Sequence, residues 1–127
     1  MQVQQSAGKK LLVAEDNPIN LIIVTGFLEL SGYVFDAVEN GFDCLKLLHE
    51  NSYDLLLTDI SMPILDGVQV ATEIRAMTNA KRKIPIIAMT ANAEIVSAER
   101  FVTAGINEVL TKPFTKADLQ CSIEKWL

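Results

Sequence analysis

The sequence predicts an α/β protein in which five parallel strands alternate with five helices in a doubly wound three-layer sandwich. Two observations predict it. Short apolar runs without polar interruption recur along the chain, as expected of strands buried on both faces of a parallel sheet. Between them lie segments of helical spacing, joined by short loops and without internal repeats.

Lys10 to Ala14 is the first strand, carried by Leu11, Leu12 and Val13. It stops at Glu15-Asp16-Asn17-Pro18, where Asp16 or Asn17 suits a helix cap and Pro18 suits a first turn. That helix runs to about Ser31, with Gly32 just past its end. Val34 to Val38 is a short second strand, Glu39-Asn40-Gly41 a turn, and Phe42 to Asn51 a second helix with Leu45, Leu47 and Leu48. The central strand is built on Leu55, Leu56 and Leu57 and ends at Asp59, because Pro63 forbids simple continuation. Asp66-Gly67 marks a turn, and Val68 to Met77 has helical spacing through Val68, Ala71 and Ile74. Thr78 to Lys83 is a polar loop, and its Lys81-Arg82-Lys83 reads as solvated rather than as a phosphate grip. Ile84 to Met89 is the fourth strand, with Pro85 near its start, where proline is tolerated. Ala93 to Ala104 is a weaker helix closed by Gly105, and Glu108 to Thr111 is the fifth strand. Thr115 to Leu127 is the last helix, with Leu119, Ile123 and Trp126 on one stripe.

Composition limits the function classes. A chain of 127 residues is one domain by length, and a half-apolar composition makes it globular. No apolar run approaches the roughly 20 residues of a membrane span. Met1 to Gly8 is polar, lacks a signal peptide's apolar segment, and reads as a linker or cloning remnant before a domain over 9–127. A net charge of -5 argues against nucleic acid as a direct partner. Cys44 and Cys121 lack metal-ligand spacing and read as buried or half-buried thiols in a reducing compartment, and His49 as an ordinary helix residue.

A parallel sheet brings the carboxyl ends of its strands to one edge, where open α/β sheets do their chemistry. Delivered there are Glu15 and Asp16, Asp59, Thr90, and Lys112. Two unit charges about 4 Å apart repel by roughly 4 kcal/mol at an effective dielectric of about 20. Three clustered carboxylates therefore need a cation, and Lys112 neutralises only part of their charge. Oxygen ligands without His or Cys select a hard divalent ion, Mg²⁺ above all, and Mg²⁺ commonly holds phosphate oxygens. The edge suits phosphoryl transfer. No Ser, His or Cys here has a general base beside it, whereas a carboxylate is a nucleophile without deprotonation and forms aspartyl-phosphate. Asp59 is then the acceptor, Lys112 and Thr90 pair with the phosphoryl oxygens, and Ala91 leaves space for the phosphodonor.

These residues carry a resemblance over about Lys9 to Leu127. Glu15-Asp16-Asn17-Pro18-Ile19-Asn20, Thr58-Asp59-Ile60-Ser61-Met62-Pro63, Ile86-Ile87-Ala88-Met89-Thr90-Ala91-Asn92-Ala93 and Leu110-Thr111-Lys112-Pro113 together closely resemble the receiver domains of two-component response regulators. The Asn-Pro-Ile-Asn and Ala-Met-Thr-Ala-Asn-Ala wording is most similar to receivers of hybrid sensor histidine kinases. The resemblance implies a flavodoxin-like strand order 2-1-3-4-5 and a cis bond between Lys112 and Pro113. It implies Asp59 as phosphoacceptor in a phosphorelay, with a phosphohistidine kinase or histidine-phosphotransfer domain as donor. It also implies a metal, Mg²⁺ or Mn²⁺ in its place, held by Asp16, Asp59 and the Ser61 carbonyl, with Glu15 acting through water. A receiver catalyses only its own phosphorylation and autodephosphorylation, and a cytoplasmic location is expected, including as part of a membrane-bound hybrid kinase.

Two positions depart from that pattern. Glu15-Asp16 stands where two aspartates are commoner, and Val109 stands where an aromatic usually sits, which puts ring-flip switching in doubt. Three other readings compete with this one. An aspartyl-phosphate hydrolase usually has a second acid two residues after the nucleophile, where this chain has Ser61. A flavin module needs a phosphate loop after the first strand, where Glu15 and Asp16 would repel phosphate. A degenerate receiver would have lost a key residue, and none is lost.

The first helix is too apolar for a simple surface helix. At about 100° per residue, Ile19, Ile23, Val24, Phe27, Leu28 and Leu30 form an arc that suits the sheet, leaving Leu21 and Ile22 outside it. Leu21 and Ile22 are thus expected to centre a small docking surface for the phosphohistidine partner.

Overall fold

Successive side chains of a strand point to opposite faces, and the apolar runs divide accordingly into two cores. The computed structural model describes residues 8–91 and 98–127. Its strands are β1 (Lys10–Ala14), β2 (Val34–Val38), β3 (Leu55–Asp59), β4 (Ile86–Thr90) and β5 (Glu108–Thr111). Its helices are α1 (Pro18–Leu30), α2 (Gly41–Glu50), α3 (Gly67–Arg75), α4 (Ala98–Ala104) and α5 (Lys116–Trp126). Every strand pairing is parallel and the order is β2-β1-β3-β4-β5. The polar segment expected as a linker, up to Ala7, and the expected start of the fourth helix at Ala93 lie outside the described residues.

Leu11, Val13, Leu55, Leu57, Ile87 and Met89 face α1 and α5, where they meet Val24, Leu28, Leu119 and Ile123. Leu12, Ala14, Leu56, Ile86 and Ala88 face the other way, onto Cys44 and Leu48 of α2, Val70, Ala71 and Ile74 of α3, and Phe101 of α4. β3 and β4 are buried at all five positions, as their unbroken apolar runs require, whereas the edge strands β2 and β5 are half-exposed.

Several boundaries differ from the sequence reading for local reasons. β4 starts at Ile86 because Pro85 has no N–H to give the ladder, although its carbonyl accepts from Leu56 at 2.9 Å. The strand also runs one residue further, so Thr90 is its last residue. Of the two candidate caps, Asn17 caps α1, accepting from the N–H groups of Ile19 and Asn20. Lys81-Arg82-Lys83 is not a free loop but a 3₁₀ turn, Ala80–Lys83. Lys81 Nζ donates to the carbonyls of Leu48 and His49 at 2.7 and 2.8 Å, closing the carboxyl end of α2. Cys44 is buried and desolvation pushes its thiol up to about 12, which leaves it an inert core residue. Cys121 is exposed on α5 rather than buried.

Candidate functional site

The register of the sheet fixes which strand ends meet. Ala14 stands opposite Thr58, so Glu15 and Asp59 leave adjacent strands at the same level. Asp59 in turn is level with Met89, and Thr90 with Thr111. β1, β3, β4 and β5 therefore bring Glu15, Asp59, Thr90 and Lys112 to one edge, as their positions in the sequence predicted.

Glu15 is fully buried and Asp59 is 5% exposed, while Asp16 is half-buried. One carboxylate oxygen from each of these three lies within 4.8 Å of the others. Lys112 Nζ sits between two of them, 2.8 Å from Glu15 Oε1 and 3.1 Å from Asp59 Oδ1. The second Glu15 oxygen accepts the backbone N–H of Asn17 at 3.2 Å. This last contact was not foreseen, and it ties the acid to the start of α1.

Burial pushes the Asp59 carboxyl up to about 7, and the Glu15 charge adds to the shift, while the Lys112 hydrogen bond and charge oppose it. Burial alone would lower the Lys112 ammonium, but its bonds and charge interactions with Glu15 and Asp59 outweigh that and raise it. Three acids against one lysine leave the cluster short of positive charge. Its donors are all oxygens, without nitrogen or sulfur ligands, so the residues present fit a hard divalent cation.

The remaining expected residues surround this cluster. Thr90 is 5% exposed and its carbonyl accepts the Lys112 N–H at 2.8 Å, joining the ends of β4 and β5. Ala91 is exposed directly after it, and Ser61 is exposed two residues after Asp59. The Lys112-Pro113 bond is cis. Val109 is half-buried and packs on the core layer shared by α2, α3 and α4.

The docking expectation for α1 needs correction. Leu21 is half-buried and packs against the core with Val24, Phe27 and Leu28. Ile22 is exposed, but so are Ile19, Ile23 and Leu30, which were assigned to the sheet side. Leu21, Val24 and Leu28 follow the i, i+3, i+7 spacing of a buried stripe. Ile19, Ile22 and Ile23 form a second stripe at i, i+3, i+4 that remains outside. Between this helix and the turn after β5 lies a cavity of about 170 Å³, lined by Asn20, Ile23, Val24, Lys112, Pro113 and Phe114.

Two features of the β3–α3 connection were also missed. A Cβ on Gly67 would collide with the Asp59 carbonyl oxygen, so only glycine lets α3 start this close to the acid. Asp66-Gly67 signalled a turn, but nothing in that pair signalled the close approach. Ile64 has φ +69°, in the left-handed region, without a local sequence cue.

The chain matches the response regulator receiver domain family over residues 11–124. It is 33% identical over 123 residues to the sensor protein GacS of Pseudomonas syringae pv. syringae. That match covers 95% of this chain but only 14% of the relative. Among solved structures, it is similar to the receiver domain of sensor histidine kinase PA1611 from Pseudomonas aeruginosa, which has magnesium coordinated in its active-site cleft. That similarity has a TM-score of 0.86 at 38% identity, covering 93% of this chain and 96% of that one. It is also similar, with a TM-score of 0.81 at 26% identity over 93% of this chain and 88% of that one, to a structure of Saccharomyces cerevisiae Ypd1, a histidine phosphotransfer protein, with the Ssk1 receiver domain. This chain belongs to the response regulator receiver domain family, the phosphoacceptor signalling domains of two-component systems, and its relatives include receivers of hybrid sensor histidine kinases.

Proposed function

We propose that Asp59 is the phosphoacceptor and takes a phosphoryl group from a phosphohistidine donor in a reaction that needs a divalent cation. The observation that carries this reading is Lys112 Nζ within 3.1 Å of Asp59 Oδ1, beside three clustered carboxylates at the end of β3. A carboxylate oxygen of Asp59 forms the new bond to phosphorus as the bond from phosphorus to the donor's imidazole nitrogen breaks, and the electron pair stays on that nitrogen. Lys112 is positioned to follow the charge onto the phosphoryl oxygens, and Thr90, at the neighbouring strand end, to donate its hydroxyl to them. Ala91 leaves room for the donor's approach. Asp16, Asp59 and the Ser61 carbonyl would hold Mg²⁺, or Mn²⁺ in its place, with Glu15 acting through water. When bound, the ion supplies charge neutralisation at the transferring group.

The exposed stripe Ile19, Ile22 and Ile23 gives a donor an apolar footing beside the acids, in place of the pair Leu21 and Ile22. Autodephosphorylation by water at the same site, a cytoplasmic setting and a domain over 9–127 complete the reading. Incubating the chain with acetyl phosphate tests it. Stoichiometric labelling that requires Mg²⁺ and is lost with a chelator is the expected result. Phosphate release so fast that no labelled chain accumulates would instead indicate a hydrolase, and labelling without any metal would refute the site.

A further inference from the structure

α3 returns the chain from the carboxyl edge of the sheet, where Asp59 ends β3, to the amino edge, where β4 begins. Its 9 residues span roughly 13 Å at about 1.5 Å per residue. A capping box closes its first turn: Asp66 Oδ1 accepts the Gln69 N–H at 2.8 Å, and Gln69 Oε1 accepts the Asp66 N–H at 2.9 Å. Val70, Ala71 and Ile74 are fully buried in the layer shared with α2 and α4. A capped helix seated along its length in a close-packed core moves as one body.

Both ends of this helix bear on the rest of the chain without slack. At the start Gly67 abuts the Asp59 carbonyl, which also accepts the Thr58 hydroxyl at 3.1 Å, and the Gly67 N–H donates to the Ile60 carbonyl at 2.9 Å. At the other end the Arg75 stem lies on Gly105, where φ is +93° and an added Cβ would sit 2.5 Å from Arg75 Cγ. Arg75 Nε and Nη2 donate to the Gly105 carbonyl at 3.1 and 2.7 Å. Nη2 also donates to Asn107 Oδ1 at 3.0 Å, and Nη1 to the Arg82 carbonyl. Asn107 Oδ1 in turn accepts the Ile86 N–H at 2.8 Å.

One guanidinium thus joins α3 to the turn between α4 and β5, to the start of β4, and to the basic 3₁₀ turn. None of these acceptors belongs to α3, so the grip serves the elements around the helix rather than its own end. A clamp that only held the fold would need tightness at this far end alone. The contact between Gly67 and Asp59 gives it a second end at the acid.

We infer that α3 is a strut that carries the state of Asp59 to the opposite edge of the sheet, with Arg75 as its coupling residue. The inference rests on Asp59 being the phosphoacceptor. A phosphoryl group makes that side chain larger and more charged, and the main chain at Asp59 and Ile60 has to adjust to it. Gly67 leaves no room at the Asp59 carbonyl, so the adjustment enters α3. Arg75 leaves none at Gly105, so it passes on to Gly105 and Asn107. The coupled sites are the acid and the turn between α4 and β5, and each link between them is a packed contact or a hydrogen bond. Arg75 touches none of the reacting atoms and acts as a positioning residue. The strut ends beside Arg82 and Lys83, which are exposed and present the acid's state to solvent on the far side of the domain.

Backbone amide NMR spectra with Mg²⁺, before and after adding beryllofluoride as a phosphoryl mimic, test the inference. The amides of Ile60 and Gly67 should shift, and so should those of Gly105, Ile106 and Asn107 at the far edge, while Tyr33 and Ser52 at the same edge stay in place. Arg75→Met, which keeps the stem and loses the donors, should cut the far-edge shifts to about half or less. The same variant should keep the shifts at Ile60 and Gly67 and label with acetyl phosphate as the unaltered chain does. Arg75→Lys, which keeps the charge but not the forked grip, should also lose the Asn107 response, and it serves if Arg75→Met does not fold. Far-edge amides that stay still while Ile60 and Gly67 move would overturn the strut and leave the phosphoacceptor reading standing. Far-edge shifts of full size in the Arg75 variants would overturn the role of Arg75. No shift at any of these amides would overturn the phosphoacceptor reading and the strut with it.

Discussion

Replacing Lys112 with alanine is expected to destabilise the metal-free domain by about 3 kcal/mol near pH 8, the scale of a buried ion pair that loses one partner. Lys112 Nζ is bonded to both Glu15 and Asp59, and neither acid has solvent to turn to: Glu15 is fully buried and Asp59 nearly so. Removing the ammonium leaves two close carboxylates, one of which already resists ionisation because of burial and the Glu15 charge. The loss should shrink as pH falls toward about 7, because Lys112 holds the Asp59 carboxyl down and its removal lets the acid protonate at higher pH, which ends the unpaired charge. Lys112→Met keeps most of the side-chain volume and should show the same pH dependence, which separates charge from packing. Urea unfolding at pH 8 and pH 5 measures both variants. A midpoint unchanged at pH 8 would mean that solvent screens the pair.

Asp59→Asn is expected to have the opposite effect on stability. The Asp59 carboxyl titrates near 7 in the folded chain against an ordinary value of 3.8. A group raised in this way contributes its full stability below pH 4 and loses it as pH rises to about 7, because the folded state must then ionise a buried acid. Asparagine ends that loss, so the variant should match the parent at pH 4 and exceed it by about 1–2 kcal/mol at pH 8, a shift of several degrees in melting temperature. Millimolar Mg²⁺ should stabilise the parent, by linkage to binding in the folded state alone, and should stabilise the variant much less. Melting curves across pH, with and without the ion, give all four values. An Asp59→Asn variant no more stable than the parent at pH 8 would contradict the burial of Asp59.

Most of this site could be read in the sequence because strand ends are cheap to locate. Leu55-Leu56-Leu57 suits a doubly buried strand, which puts Asp59 at its end, and parallel topology carries Glu15, Thr90 and Lys112 to the same edge. The orientation of α1 could not be read in this way. The helix is apolar almost all round, so its periodicity did not distinguish Leu21, which packs inward, from Ile19 and Ile23, which do not. Lys81 looked solvated because its partners, the carbonyls of Leu48 and His49, are more than thirty positions away. The turn at Ile64 gave no signal because no glycine or asparagine occupies its strained position. The crowding at Gly67 depends on how α3 returns to the Asp59 carbonyl, a tertiary fact that Asp66-Gly67 alone does not carry.

The central claim is that the phosphoryl group resides on Asp59. An acyl phosphate is reduced by borohydride to an alcohol, so aspartyl-phosphate becomes homoserine and marks its own position. The chain labelled by acetyl phosphate with Mg²⁺, reduced and mapped by peptide mass spectrometry, should carry homoserine at position 59, with Glu15 and Asp16 intact. Homoserine at position 16, reduction of Glu15, or a labelled chain in which Asp59 is unmodified would contradict it.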